Sequence, residues 1–325
     1  MSANINSMFY AGKKPWHSLG TAVAGELTSE EAIIKAGLNW EVKKIPVMFD
    51  PTNTLQPGVT KLMPGKFVNV RMDTMDGLGI VGPVYRPLQN IEGFKFFDSV
   101  VGEKLAMYHT AGALGIGERI WMLAKLPGEF WVTKEDNVEK YLLLMNSHDG
   151  SSAVTIMATP IRVVCQNTLN MALKEGQKTK VRHSLSMMTG IKEIREQLGI
   201  ADTYFRIFEE MSKHLVSKQA TTIVIDKLFD DLGLSKEVTK KSTRAENIRW
   251  DITKLFETGK GNNLPSTRGT VWALFNGVTE YVDYYRSAHG KSTQEKMFSR
   301  AESLLFGSGA DMKQKALDSL LEAIK

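Results

Sequence analysis

His148 and Asp149, standing just before Gly150, are the first residues that could do chemistry. A histidine beside a carboxylate has the parts of a general acid–base pair, and it also offers two metal ligands. No spaced cluster of His, Asp or Glu accompanies the pair to complete a coordination sphere. Asp-Gly is a tight-turn signal, because the Asp side chain closes onto its own backbone and Gly accepts positive φ. The plainer expectation is an Asx-type turn between two apolar strands. Asn146, Ser147, His148 and Asp149 would then form a solvent-reachable contact loop.

Cys165 ends the run Ile161-Arg162-Val163-Val164. A nucleophilic thiolate needs a base and electropositive surroundings, and His183 supplies the base only if the fold brings it close. The apolar setting favours inert packing. Gly112-Ala113-Leu114-Gly115-Ile116-Gly117 has the glycines of a phosphate loop, but a strand follows it where a dinucleotide site needs a helix. It reads as a hairpin turn. Glu30-Glu31, Glu209-Glu210 and Asp230-Asp231 are adjacent pairs on helices, so their side chains diverge by about 100°. No catalytic residue, cofactor or metal is assigned on these grounds.

Basic side chains form the remaining pattern. Lys174, Lys178, Lys180 and Arg182 gather about a turn, with Arg162 upstream, and residues 174–195 hold six Lys/Arg against two Glu. In a strand over Lys178–Ser184, the residues Lys178, Lys180 and Arg182 fall on one face. A one-sided basic strip is what a phosphate backbone requires. Lys236, Lys240 and Arg244 would make a second stripe on a helix at i, i+4, i+8, more simply read as solvated surface. Tyr85, Tyr108 and Trp121 lie near strands that could offer bases a stacking platform. Trp272, Phe275 and Tyr281, at helical spacing, belong to a core.

The elements that position these residues change character near residue 185. Before it, β-like runs alternate with Gly and Pro turns; after it, the period is helical. Thr28 and Glu31 have capping-box spacing before a helix over Ser29–Ala36, stopped by Gly37. Strands are predicted over Asn39–Phe49 (at an edge or bulge because of Pro46), Lys66–Asp73 and Leu78–Val84 with Asp76-Gly77 in the turn, Leu105–Leu114, Arg119–Leu126, Tyr141–Ser147 and Ala153–Thr159. Helices are predicted at Asn90–Val101, Asn167–Glu175, 189–218, 221–232, 236–257, 268–288, 293–305 and 310–324. The fold class is α+β: a strand-rich half with antiparallel hairpins, residues 1–185, then a helix-rich half, residues 186–325. The second half is either a separate domain or a layer on the same core.

Length, charge and cysteine usage set outer bounds. The 325 residues are 42% hydrophobic and 24% charged, the composition of a globular chain. No run approaches the roughly 20 apolar residues of a membrane span. Met1–Gly12 has no basic region followed by an apolar run, so no signal peptide is expected. A lone cysteine excludes an intrachain disulfide and a multi-cysteine zinc site. These features together favour the cytosol.

Several segments taken in order carry a family pattern: Gly37-Leu38-Asn39-Trp40, Val70-Arg71-Met72-Asp73, Tyr85-Arg86-Pro87-Leu88-Gln89-Asn90, Asn146-Ser147-His148-Asp149-Gly150-Ser151, Arg162-Val163-Val164-Cys165-Gln166-Asn167-Thr168-Leu169 and Thr279-Glu280-Tyr281-Val282-Asp283. Together they resemble the phage/plasmid-like protein family, domain of unknown function 932. The resemblance implies a mobile-element origin and a location in the bacterial host cytoplasm, and it supplies no established active site. The order of elements is also similar to annealing proteins of the Rad-fifty-two type, an analogy of architecture alone.

The functional expectation is binding of single-stranded nucleic acid in replication or recombination, by a protein that forms a homo-oligomer. Arg162, Lys174, Lys178, Lys180 and Arg182 are its candidate contacts. One alternative is a hydrolase or nuclease using His148, Asp149, Cys165 or His183. The other is a module that docks on a host or defence factor.

Overall fold

Alternating side chains drive the first half into sheets, and the direction of that alternation decides which face is buried. The computed structural model describes residues 5–11, 21–23, 27–51, 60–101, 107–162, 167–168, 178–184, 198–290, 296, 299, 303–304 and 307–325. Eleven strands are described: β1 (Ile5–Ala11), β2 (Thr21–Val23), β3 (Val42–Phe49), β4 (Lys61–Arg71), β5 (Asp76–Val81), β6 (Met107–Leu114), β7 (Arg119–Thr133), β8 (Asp136–Ser147), β9 (Val154–Arg162), β10 (Asn167–Thr168) and β11 (Lys178–Val181). They form one large sheet in the order β10-β9-β8-β7-β6-β1-β2, with β11 also on β9, and a small sheet β3-β4-β5. All pairings are antiparallel except β1 with β2. The α+β reading holds, with strands in the first half and helices in the second.

Helix α1 (Ser29–Lys35) begins at the anticipated capping box, where Thr28 and Glu31 bond reciprocally. Gly37 ends it in the left-handed region, at φ 62°. Helix α2 (Asn90–Val101) matches its predicted span. These two helices, the large sheet and the inner face of the small sheet share a core that includes Trp40, Leu78, Phe94, Met122 and Leu144. Pro46 sits where the edge position and bulge were expected: β3 is an edge strand and its register shifts between Pro46 and Met48.

The second half supplies α3 (Leu198–Val216), α4 (Thr222–Asp231), α5 (Lys236–Thr239), α6 (Thr243–Thr258), α7 (Val271–Glu280), a π-helical turn (Tyr281–Tyr285) and α8 (Ser308–Ala323). Its core is continuous with the far end of the β7–β8 hairpin, where Phe130, Val132 and Val138 meet Phe208, Trp272 and Phe275. Trp272 donates its indole N–H to Asp136 at 2.8 Å, tying the helices to that hairpin. Trp272, Phe275 and Tyr281 are core residues, as their spacing indicated. Lys313 is fully buried against Asp283 of the π turn, a cation held by its partner carboxylate.

Four expectations are corrected. The first hairpin turn falls at residues 72–75, where Met75 takes φ 61°, and Asp76-Gly77 open the next strand. No single helix spans 236–257: Ser242 caps α6 and separates it from α5. Lys236, Lys240 and Arg244 therefore make no continuous stripe, and Lys236 is paired with Asp226 at 2.7 Å. Asn167-Thr168 is a strand paired with Ile161 and Arg162, where a helix start was predicted; the rest of that segment lies outside the described residues. Strand β1 was not foreseen, because its pairing partner β6 is about a hundred residues away and no local signal announces it.

The two sheets meet where Gly79 of β5 lies on the backbone of Asp149; a Cβ there would stand 2.5 Å from the Asp149 Cα. Gly79→Ala forces backbone apart and should cost roughly 2 kcal/mol or more. Gly82→Ala, where an added Cβ meets nothing within 4 Å, should stay within about 0.5 kcal/mol of wild type. Urea denaturation of both variants checks the contrast.

Candidate nucleic-acid interface and the buried turn beneath it

The turn between β8 and β9 has the predicted tight geometry, with Gly150 at φ 77°. Its carboxylate does what an Asx turn requires. Asp149 accepts from the Ser151 N–H at 2.8 Å and from the Ser147 hydroxyl, and Arg119 lies 3.6 Å away. Burial pushes the Asp149 carboxyl up, but the hydrogen bonds from Ser147 and Ser151 and the Arg119 charge together outweigh it, so its pKa sits below the ordinary carboxylate value.

The expected contact loop is not at the surface. Asn146, Ser147 and His148 are buried, because the small sheet and its following loop lie over them. Asn69 of β4 donates to the His148 carbonyl at 2.7 Å, and the Tyr85 hydroxyl donates to the Ser147 carbonyl at 2.7 Å. His148 Nε2 lies 2.9 Å from Asn90 Oδ1. Asn90 commits its amide nitrogen to the Leu38 carbonyl, so its oxygen accepts and His148 carries its proton on Nε2. The ring also tilts against Trp40 at 5.4 Å, and Arg71 covers the Trp40 face at 4.5 Å. His183 is likewise buried, stacked on Tyr85 at 4.4 Å.

This burial sets the protonation states. Burial first, and then the neighbouring His183, lower the His148 pKa to about 3, with Asp149 opposing. Burial also lowers His183, against a hydrogen bond to the Arg86 carbonyl. Tyr85 is raised well above its ordinary value, by burial and then by Asp149, with Asn69 opposing. A neutral, enclosed His148 already bonded to Asn90 is a joint between sheets and is poorly placed to exchange protons with a substrate. Among the described residues no group of three or more His, Cys, Asp or Glu could hold a metal.

The basic candidates are placed as follows. Lys178 and Lys180 lie on β11, opposite Met157 and Thr155 of β9. Arg182 follows the strand and is exposed. Arg162 ends β9 opposite Val138 and Asn167, out of phase with Met157 and Thr155. Lys174 and Cys165 lie outside the described residues. Of the proposed stacking platform, Tyr108 is buried with its hydroxyl on the Phe94 carbonyl. Tyr85 is held by Ser147 and His183, and Trp121 is half-buried.

The three strands of the small sheet fall where Asn39–Phe49, Lys66–Asp73 and Leu78–Val84 were predicted; what the sequence reading missed is the surface they present. β3 reads VKKIPVMF and β4 reads KLMPGKFVNVR, without an acidic residue in either. Pairing brings Lys43, Lys44, Lys61 and Lys66 onto one hairpin. Between them stand exposed apolar side chains, Ile45, Met48, Phe49, Leu62 and Met63, and Ile80 extends the row on β5. The visible signal was two strand segments in which Lys and apolar residues mix without a carboxylate, and whose apolar side chains stay uncovered.

A two-sheet α+β scaffold with a buried polar joint and an uncovered basic hairpin is the class these features define. The chain matches the family described as "Domain of unknown function (DUF932)" over residues 77–305, and it belongs to that family. No curated protein and no solved structure matches it. Among the described residues no helix is long and apolar enough to cross a membrane.

The buried histidine makes stability depend on pH. His148 titrates near its ordinary 6.5 when unfolded and near 3 when folded, so the unfolded chain takes up the proton first as pH falls. Stability is intact above about pH 6.5 and is lost below it, at up to about 1.4 kcal/mol per unit. Asp149, also depressed, adds a loss of the same sign below about pH 4. The urea midpoint should fall steadily from about pH 6 to about pH 4.5, and His148→Gln should make that fall shallower, with His183, also lowered by burial, keeping part of it. A flat wild-type profile would contradict the burial of a neutral His148.

Proposed function

We propose that the protein binds single-stranded nucleic acid, in the replication or recombination of a mobile element, and that the strand runs along the β3–β4 hairpin. One observation carries this reading: two paired strands that together hold Lys43, Lys44, Lys61 and Lys66 and no carboxylate, with uncovered apolar and aromatic side chains beside them. Lysines attract the phosphate backbone without regard to sequence. Phe49, together with Met48 and Leu62, offers flat or pliable apolar surface to unstacked bases. Strand β11, with Lys178, Lys180 and then Arg182, continues as a second basic element at the edge of the large sheet. A homo-oligomer would set several hairpins side by side and multiply weak contacts along one strand.

The test is the salt dependence of binding to a fluorescent oligothymidine. Lys61→Ala/Lys66→Ala should flatten the plot of log affinity against log salt by roughly 1.4, about 0.7 for each lost phosphate contact. Lys178→Ala/Lys180→Ala/Arg182→Ala measures the share of the second element in the same way. An unchanged slope in the first variant, with normal melting, would remove the hairpin from the interface. Absence of binding at about 50 mM salt would overturn the reading and leave the apolar hairpin as a protein-docking surface.

A further inference from the structure

We infer that the cleft at the base of the hairpin is a pocket for a phosphomonoester, the terminal phosphate of a strand or of a nucleotide. The inference rests on the nucleic-acid reading for its biological source but on its own geometry for the ligand. The cleft holds about 410 Å³ and lies between β3 and the segment entering α2. That volume falls within the range of small-molecule sites and exceeds the need of a bare ion.

Its floor is rigid. Val42 stands on an edge strand with its N–H and C=O facing outward, and the Gln89 side chain satisfies both, at 3.0 and 2.9 Å. The edge is thereby closed by an amide that mimics a neighbouring strand. Pro87 and Val42 give the wall an apolar surface.

Its charge is unbalanced in one direction. Lys43, Lys44 and Arg86 line the cleft with one carboxylate, Glu92. Lys44 is pinned by the Pro83 and Tyr85 carbonyls at 2.7 and 2.8 Å, so its charge stays in the wall. Glu92 is turned onto the Gln89 N–H at 2.8 Å, where it serves the start of α2. Lys43 and Arg86 are exposed at the mouth. Three cations against one carboxylate leave two positive charges, which match a phosphomonoester carrying about −1.5 to −2 at pH 7. An internal phosphodiester has only one negative charge and less to gain. Arg86 adds the planar fork that grips two phosphate oxygens together.

Two sources share this chemistry, a strand end and a free nucleotide, and the experiment separates them. Affinities are measured for oligothymidines bearing a 5′-phosphate, a 3′-phosphate or neither. Calorimetry compares thymidine 5′-monophosphate with thymidine. The expected result is that one end-phosphorylated oligomer binds about tenfold tighter than the unphosphorylated one. Arg86→Gln should erase that preference while leaving the melting temperature and the affinity of the unphosphorylated oligomer near wild type. Equal affinity of all three oligomers, with no heat from the monophosphate, overturns the pocket. A preference that persists in Arg86→Gln overturns its assignment to this cleft. If no oligomer binds, heat from the monophosphate that is lost in Arg86→Gln upholds the pocket as a nucleotide site while the strand-binding reading fails; no heat sinks both.

Discussion

The β3–β4 hairpin and the cleft at its base are positioned by one buried junction, the turn Asn146–Gly150 pressed against the small sheet. Asn69 and Tyr85 hold the carbonyls of His148 and Ser147, and Gly79 lets the two backbones touch. The same junction fixes Asn90 at the start of α2 through His148, and Gln89 beside it fixes the edge of β3. The junction's donors on Asn69, Tyr85 and His148 meet defined acceptors, while the Asn69 and Asn146 amide oxygens and His148 Nδ1 are buried without a hydrogen-bond partner among the described residues, a desolvation cost that it carries.

Apart from the Asp76-Gly77 turn and the Ser242 cap, much of the local chemistry was legible in the sequence where a signal is completed within a few residues. The Thr28–Glu31 box, the Gly37 stop, the bulge at Pro46 and the tight turn at Gly150 are of that kind. Alternation over 107–162 likewise announced the hairpins of the large sheet, though β7 and β8 run further than their apolar runs suggested. What was not legible is contact across long separations. Nothing near His148 says that Asn69 and Asn90, 79 and 58 residues away, will enclose it. A turn rich in Asn, Ser, His and Asp looks solvated until a second sheet is laid on it.

The same limit explains the shift of the candidate interface. Lys178, Lys180 and Arg182 drew notice because they cluster in sequence. Lys43, Lys44, Lys61 and Lys66 are split between two strands, and only pairing of β3 with β4 collects them. Positive charge then gathers on the β3–β4 pair because neither strand contains a carboxylate; Glu41 and Asp50 stand only at the two ends of β3, and Asp73 is engaged by Arg71. The helical half contributes a different thing. Its core grips the far end of β7 and β8, which stiffens the long hairpin against which the junction is built.

The central claim is that nucleic acid lies on the small sheet, over the buried junction. Hydrogen–deuterium exchange of the protein with and without a saturating oligothymidine measures this most directly. The account predicts added protection in β3 and β4, with the helices of residues 198–290 unchanged. Protection confined to those helices, with β3 and β4 exchanging as in the free protein, would contradict it.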